Sequence, residues 1–349
     1  TSATLRNLDS TGLTGDNIKM AIGTDGYPVM AFYNRTNSQL NLAKCSDMSC
    51  AGVVVSIIDA TNLGALDGTQ DLSLAIGSDG YPVITYHDLT GGDLEFLKCE
   101  NISCSVRTTR TLDATTAGTA SAIAIGPDGF PVIAYVGATN LKYLKCNDMA
   151  CASTTAKTVD SSTNILKYVS IAISPDGLAN IGYYDNGSND LRFAKCNNAA
   201  CSSPTLSTLD TANTNQGEEN SIAIGADGFP VFTYVDVTGF DLEFLKCNDA
   251  ACTSTTQRTL DDNQAGYNAT LAIGTDGFPV ITADGGSSTK FNFYRCSSPD
   301  CAPVGSSTAN MSATSSDLAI VLDDAGSVAV ATSDNTYDTI QGATSTRIA

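Results

Sequence analysis

The feature that most constrains this chain is its similarity to itself. An Ala-Ile pair, a turn and an apolar run recur seven times, first as Ala21-Ile22-Gly23-Thr24-Asp25-Gly26-Tyr27-Pro28-Val29. Later copies start at Ala75, Ala124, Ala172, Ala223, Ala272 and Ala319, spaced 47 to 54 residues apart in a chain of 349. A repeat of that period is one supersecondary unit that buries its apolar face only against its neighbours. Copy four has drifted to Leu178-Ala179-Asn180, and copy seven to Asp323-Asp324-Ala325-Gly326.

Each unit holds four short strands. In the fifth, residues 220–225 form the first strand, and Asp227-Gly228 supplies the positive-φ positions of a tight hairpin. Residues 230–235 are a continuous apolar run, as in a strand buried on both faces; residues 242–247 and 255–260 are the third and fourth strands. Four strands in about 50 residues make a propeller blade, whereas solenoid coils take about 20–25. Residues 3–9 match a fourth strand, and the last unit has material for only three, ending near 344–348. The expected fold is all-β: a single domain over residues 1–349, a seven-bladed β-propeller of four-stranded blades. Its N-terminal strand completes the last blade and leaves no open edge in the ring. The alanine at the start of each copy fits inner strands crowded around an axis.

Composition narrows the function. The 37 acidic residues outnumber the 18 Lys and Arg, for a net charge of −19, which excludes nucleic acid and anionic lipid as partners. Only Glu95, Glu100, Glu218, Glu219 and Glu243 are glutamates; the other acids are aspartates, which favour turns over helix interiors. No apolar run approaches 18 residues, so no transmembrane helix and no membrane insertion is expected. The opening Thr1-Ser2-Ala3-Thr4 lacks the basic and apolar regions of a leader, so a secreted form has already lost one.

Six units carry Cys-x4-Cys: Cys45/Cys50, Cys99/Cys104, Cys146/Cys151, Cys196/Cys201, Cys247/Cys252 and Cys296/Cys301. Each pair brackets the turn between third and fourth strands, where antiparallel neighbours come close to disulfide reach. A zinc site needs four ligands in one place, and these pairs lie on separate blades. Six disulfides, no metal and no cofactor are expected, in an oxidising compartment outside the cell or on its surface.

The unit Ala-Ile-Gly-x-Asp-Gly-aromatic-Pro-Val, followed by Leu-x-x-x-Lys-Cys-x4-Cys, resembles the tandem repeats of secreted bacterial proteins of β-propeller-like form. The match covers units one to six and the first two strands of unit seven. It implies secretion and implies no activity.

On the face that gathers second-to-third turns and inter-blade loops, two acidic series converge. One ends the fourth strands: Asp9, Asp59, Asp113, Asp160, Asp210 and Asp261. The other follows the second strands: Asp88, Asp185, Asp236, Asp284 and Asp334, near Tyr33, Tyr86, Tyr135, Tyr183 and Tyr234. The candidate ligand residues are Tyr86, His87, Asp88, Tyr183, Asp185, Tyr234, Asp236 and Asp284, a set suited to a cation or a sugar. Against this stands a purely architectural use, with aspartates capping turns and binding loop amides. The hairpin aspartates lack the Asp-x-Asp-x-Asp spacing of calcium loops of the EF-hand kind. A basic residue precedes the first Cys in six units (Lys44, Lys98, Lys145, Lys195, Lys246, Arg295), more suggestive of ion pairs than of an anion site. Asn34, Asn101, Asn186, Asn268 and Asn310 begin glycosylation sequons.

Catalysis finds little in the sequence. His87 is the one imidazole and has no nucleophile motif beside it, although a glycosidase would need only two carboxylates. Two functions stay open: an extracellular structural or adhesive protein assembling into a filament through terminal strands, or a glycan-binding module or glycosidase. The partner is accordingly another copy of the chain or a carbohydrate.

Overall fold

A computed structural model describes residues 4–9, 14–60, 72–115, 117–161, 164–165, 167–210, 216–262, 267–284, 290–310, 315–334 and 340–345. Ala3 and residues 346–348, assigned above to the closing strands, lie outside this set, as do the side chains of Asn310 and Asp334. The described elements are all strands, arranged as seven four-stranded antiparallel sheets. The first sheet runs Thr14–Ile22, Pro28–Asn34, Gln39–Cys45 and Val53–Asp59 from inner to outer strand. The next five repeat this order. The seventh takes Ser315–Leu322, Val328–Asp334 and Ile340–Ser345, and its outer strand is Thr4–Asp9 from the other end of the chain, with Leu5 opposite Ala343. The N-terminal strand is thus taken up inside its own molecule.

The apolar core lies between sheets. Alternate residues of a strand point to opposite faces, and the second strands, buried along nearly their whole length, send one set to each neighbour. Val83 meets Ile123 and Ile133 of the third sheet, while Ile84 and Tyr86 turn back to Val29 and Leu42 of the first. Leu8, Ala319 and Ala331 close the circle against Ile18 and Met30. Each inner strand leans on the next, and Ser315–Leu322 leans back on Thr14–Ile22. This is a propeller of four-stranded blades.

The structure corrects the sequence reading in three places. The repeated alanine is small because of the seam between blades, not the axis: Ala75 packs on the third sheet and Ala223 on the sixth. In the seventh sheet the Ala-Ile register is displaced. Val321 pairs with Ala329 and Leu322 with Val328, as Ala21 pairs with Val29 and Ile22 with Pro28, so Ala319 sits two residues before its expected place.

The third correction concerns the cysteines. All six pairs are disulfides at sequence separation five, with Cα atoms 4.4–4.7 Å apart. They do not join antiparallel neighbours of the ladder, as expected above. Cys45 stands opposite Val53, Cys99 opposite Arg107 and Cys146 opposite Thr154. The second cysteines, Cys50, Cys104, Cys151, Cys201, Cys252 and Cys301, lie in the turn before the fourth strand, at φ from 48° to 55°. A tight turn brings them back. The Cys50 N–H donates to the Asp47 carbonyl at 3.0 Å, and Cys104, Cys201, Cys252 and Cys301 each donate likewise to the carbonyl three residues earlier, at 3.0–3.1 Å.

Positive φ costs energy in a residue with a side chain. Amide-collecting groups in the loops offset it. Asp249 Oδ1 accepts from the N–H of Ala251 at 2.9 Å and of Thr253 at 3.1 Å, and Asn198 does the same for Ala200 and Ser202.

Candidate functional site

On the hairpin face, the basic residue before each first Cys ion-pairs with the Asp of its own sheet's first hairpin. Lys44–Asp25, Lys98–Asp79, Lys195–Asp176, Lys246–Asp227 and Arg295–Asp276 lie at 2.5–2.8 Å, and Lys145 pairs with Asp128. The other oxygen of each Asp accepts a backbone N–H two residues on, as from Tyr27 to Asp25 at 3.2 Å. Those carboxylates are thereby committed to architecture. Among the described residues no group of three or more His, Cys, Asp or Glu is arranged to hold a metal ion.

On the opposite, loop face, the two acidic series behave differently. The aspartates that end fourth strands accept the phenol of the next sheet: Tyr135 to Asp113 at 3.0 Å, Tyr183 to Asp160 at 2.7 Å, Tyr234 to Asp210 at 2.6 Å, and Tyr86 to Asp59. Burial, reinforced by the Asp charge, pushes these phenols well above their ordinary range. Third-strand residues add donors, with Lys142 Nζ 2.8 Å from Asp113 and Arg192 3.2 Å from Asp160. Tyr86, Tyr183 and Tyr234 are therefore clamps between blades, fully buried.

The sixth sheet breaks this pattern and repairs it. Ala283 stands where the second strands of sheets two to five carry Tyr (the first sheet has Phe32 in that column, with Tyr33 one residue on), and Tyr294 of the adjacent strand reaches Asp261 instead, at 2.5 Å, joined by Asn292 Nδ2 at 3.1 Å. The sequence reading missed Tyr294; the signal was Ala283 in the tyrosine's column.

The second series caps turns. Asp88, Asp185 and Asp236 each accept a loop N–H at 2.8 Å, from Thr90, Gly187 and Thr238, and Asp284 accepts from Asn268 Nδ2 at 3.0 Å. His87 is buried at the end of its strand. Of the sequons, Asn34 is buried, with its Oδ1 accepting from the N–H of Asn37, and the Asn268 amide is engaged by Asp284, so neither presents a free acceptor amide.

What the structure does gather is a cluster on the loop face of sheets four to six. The inner strand Gln216–Ile224 starts four residues earlier than its sequence pattern suggests, with register shifts on either side of Glu218. Gly217 at φ 104° makes this possible: a Cβ there would fall 2.6 Å from the Leu191 Cα. The irregular start sets Glu218 and Glu219 at the head of the inner strand, with Glu219 itself at φ 51°. Glu219 accepts the backbone N–H of Asn268 from the sixth sheet, the place Asp317 takes toward Asn17 (3.1 Å) between sheets seven and one. Burial, with the charges of Asp284 and Glu218 adding to it, raises the Glu219 carboxyl to about 7.

Aromatic rings surround this pair. Tyr168 and Tyr184 meet edge to face at 6.3 Å, Phe240 and Tyr267 lie 5.7 Å apart, and Phe240 is 37 % exposed. Lys167 Nζ stands 4.4 Å from the Tyr168 ring centre and 3.5 Å from Glu218. Burial first, and the Glu218 charge second, push Tyr184 up to about 12.

Fold and site together define an all-β propeller whose four-stranded blades are stapled by six disulfides. No family model matches the chain, and no curated protein matches its sequence. Solved structures match its fold. A protein of unknown function from Dyadobacter fermentans is 12 % identical with a TM-score of 0.55, covering 97 % of this chain and 98 % of that one. BBS1N, in its complex with ARL6DN, is 9 % identical at TM-score 0.63, over 99 % and 97 %. The polysaccharide lyase Uly1 is 10 % identical at 0.59, over 95 % and 89 %. At these identities the likeness is one of fold.

Proposed function

We propose that this chain is a secreted, seven-bladed propeller acting outside the cell as a structural or adhesive subunit that associates with further copies of itself. The observation that carries this reading is the outer strand Val53–Asp59. It exposes Val54 (61 %), Val55 (37 %) and Ile57 (49 %). The corresponding strands Arg107–Asp113, Thr154–Asp160 and Thr255–Asp261 instead carry Arg107 and Arg110, Lys157, and Arg258 among threonines. Proteins guard open strand edges with such charges, and an apolar edge with unpaired amides is a template for strand addition. In a chain of net charge −19, it carries no charge before Asp59. Six disulfides, and the absence among the described residues of a helix long and apolar enough to cross a membrane, agree with an extracellular setting.

Light scattering and electron microscopy across a concentration series test the reading. The expected result is association that Val55→Lys and Ile57→Lys abolish; a monomeric mass for the unmodified chain at every concentration overturns it. A second reading, carbohydrate binding, is favoured by the cluster of sheets four to six, where the one pair of adjacent glutamates lies beside Lys167 and the Tyr168–Tyr184 rings.

A further inference from the structure

We propose that copies of this chain join head to tail, the open edge Val53–Asp59 of the first sheet in one copy adding to the open edge Thr205–Asp210 of the fourth sheet in the next. The inference rests on the self-association reading above and names the surface that receives the apolar strand.

Every outer strand is paired on one side only, so an open edge by itself selects none of them. The register does. At one ladder position Arg6, Arg110, Lys157 and Arg258 stand in the seventh, second, third and fifth sheets, and Ser56, Ser207 and Ser307 in the first, fourth and sixth. Cations along an edge oppose the addition of a further strand. Where Arg258 crosses to Asp300 in the next sheet's cysteine turn at 2.8 Å, Ser207 makes a neutral bond to the Ala251 carbonyl of the equivalent turn at 3.0 Å.

The three edges without that cation are not alike. Pro303 opens the sixth-sheet strand, and proline has no N–H to offer a new neighbour. The other two carry an apolar residue one position earlier, Val55 in the first sheet and Leu206 in the fourth, where the second, third and fifth have Thr109, Ala156 and Gln257. The seventh has Leu5 there but keeps Arg6 beside it. Leu206 is 38 % exposed, close to Val55 at 37 %. Neither strand carries a charge before its terminal, buried aspartate, Asp59 or Asp210, so joining them buries no unpaired ion.

Loss of the cation and gain of the apolar side chain therefore coincide in the first and fourth sheets. These lie three steps apart in a closed circle of seven, on nearly opposite sides, so one copy offers an edge to each of two neighbours. Two different surfaces joined head to tail propagate into a filament unless the rotation between copies closes a ring.

The test uses Val55→Lys and Leu206→Lys, each checked by circular dichroism for a native fold and measured by light scattering alone and in an equimolar mixture. Ile57→Lys and Thr208→Lys on the same edges replace any variant that misfolds. Each variant keeps one working edge. Alone, each should be monomeric; mixed, they should reach twice the monomer mass and go no further. A Leu206→Lys chain that dimerises alone, or a mixture that stays monomeric, overturns the head-to-tail pairing while self-association of the unmodified chain stands. A Val55→Lys chain that still associates alone removes Val53–Asp59 from the contact and overturns the pairing. A monomeric mass for the unmodified chain at every concentration overturns both the pairing and the reading it rests on.

Discussion

Tyr234 of the fifth sheet donates its phenol to Asp210 of the fourth across 2.6 Å, with both groups buried. Equivalent clamps recur around the ring, so the acidic series that reads in sequence as a ligand set is in large part what joins one blade to the next.

Removing the hydroxyl should therefore weaken the fold rather than a binding function. Tyr234→Phe leaves Asp210 with Gln257 as a remaining donor at 2.7 Å. The expected cost is about 1.5–3 kcal/mol, the range for a hydrogen bond to a charged group. Urea unfolding measures it, and an unchanged midpoint would show the clamp to be dispensable.

The ion pairs of the hairpin face should respond unequally to loss of either partner. The Lys98 side chain is 2 % exposed and that of Asp79 is 36 % exposed. Asp79→Asn strips a buried ammonium of its counter-charge, whereas Lys98→Met removes the buried charge and leaves an aspartate that water can reach. Asp79→Asn should be the more destabilising of the two in thermal melts; the reverse order contradicts this account.

Each disulfide closes a short loop and, in the chain-entropy model, contributes about 2 kcal/mol. Replacing Cys146 and Cys151 together with alanine should lower stability by roughly that amount and leave the fold intact by circular dichroism. Peptide mapping without reduction should find each cysteine linked to the one five residues on; crossed pairs or free thiols would refute the assignment.

The pH dependence follows from opposed groups. Burial raises Glu219 to about 7 and also raises Glu95 and Glu243. The folded state then binds more protons than the unfolded one, so this contribution is complete below the ordinary glutamate range and is lost as pH rises through about 7. Asp113 and Asp276 are held low: burial opposes, but ion pairs and hydrogen bonds with Lys142 and Arg295 prevail. Their contribution is lost only as pH falls below the aspartate range. Melting temperature should be higher near pH 5 than near pH 8 and drop again in strong acid. Glu219→Gln should shrink the difference between pH 5 and 8; an unmodified chain that melts higher at pH 8 than at pH 5 would contradict the assignment.

Much of this architecture is legible in the sequence because it is periodic. The Asp-Gly hairpins, the apolar second strands and the Cys-x4-Cys turns each depend on contacts within one unit, and local chemistry recurs wherever the local sequence does. Even there the pairing was legible before its geometry was: spacing joins Cys45 to Cys50, but the turn hydrogen bond to Asp47 sets how they meet. The cluster of sheets four to six was not legible. Glu218 and Glu219 stand before the recognisable start of their strand, and an irregular register, permitted where Gly217 backs onto Leu191, brings Glu219 to the Asn268 N–H of the next sheet. Tyr294 was missed for a related reason: it replaces a side chain of a different strand, and nothing along the chain ties the two positions together.

The sequence by itself determined the unit: four strands, a hairpin, a staple and an ion pair, repeated around a ring. That follows because hairpin and turn energies are set by residues a few positions apart. Only the tertiary structure decided which residues meet between units. It placed the phenols on the preceding blade's aspartates, moved the seventh copy by two residues, and returned Thr4–Asp9 to Ile340–Ser345. Those choices come from side-chain packing and polar satisfaction across blade interfaces, where the partners lie a full repeat or nearly the whole chain apart.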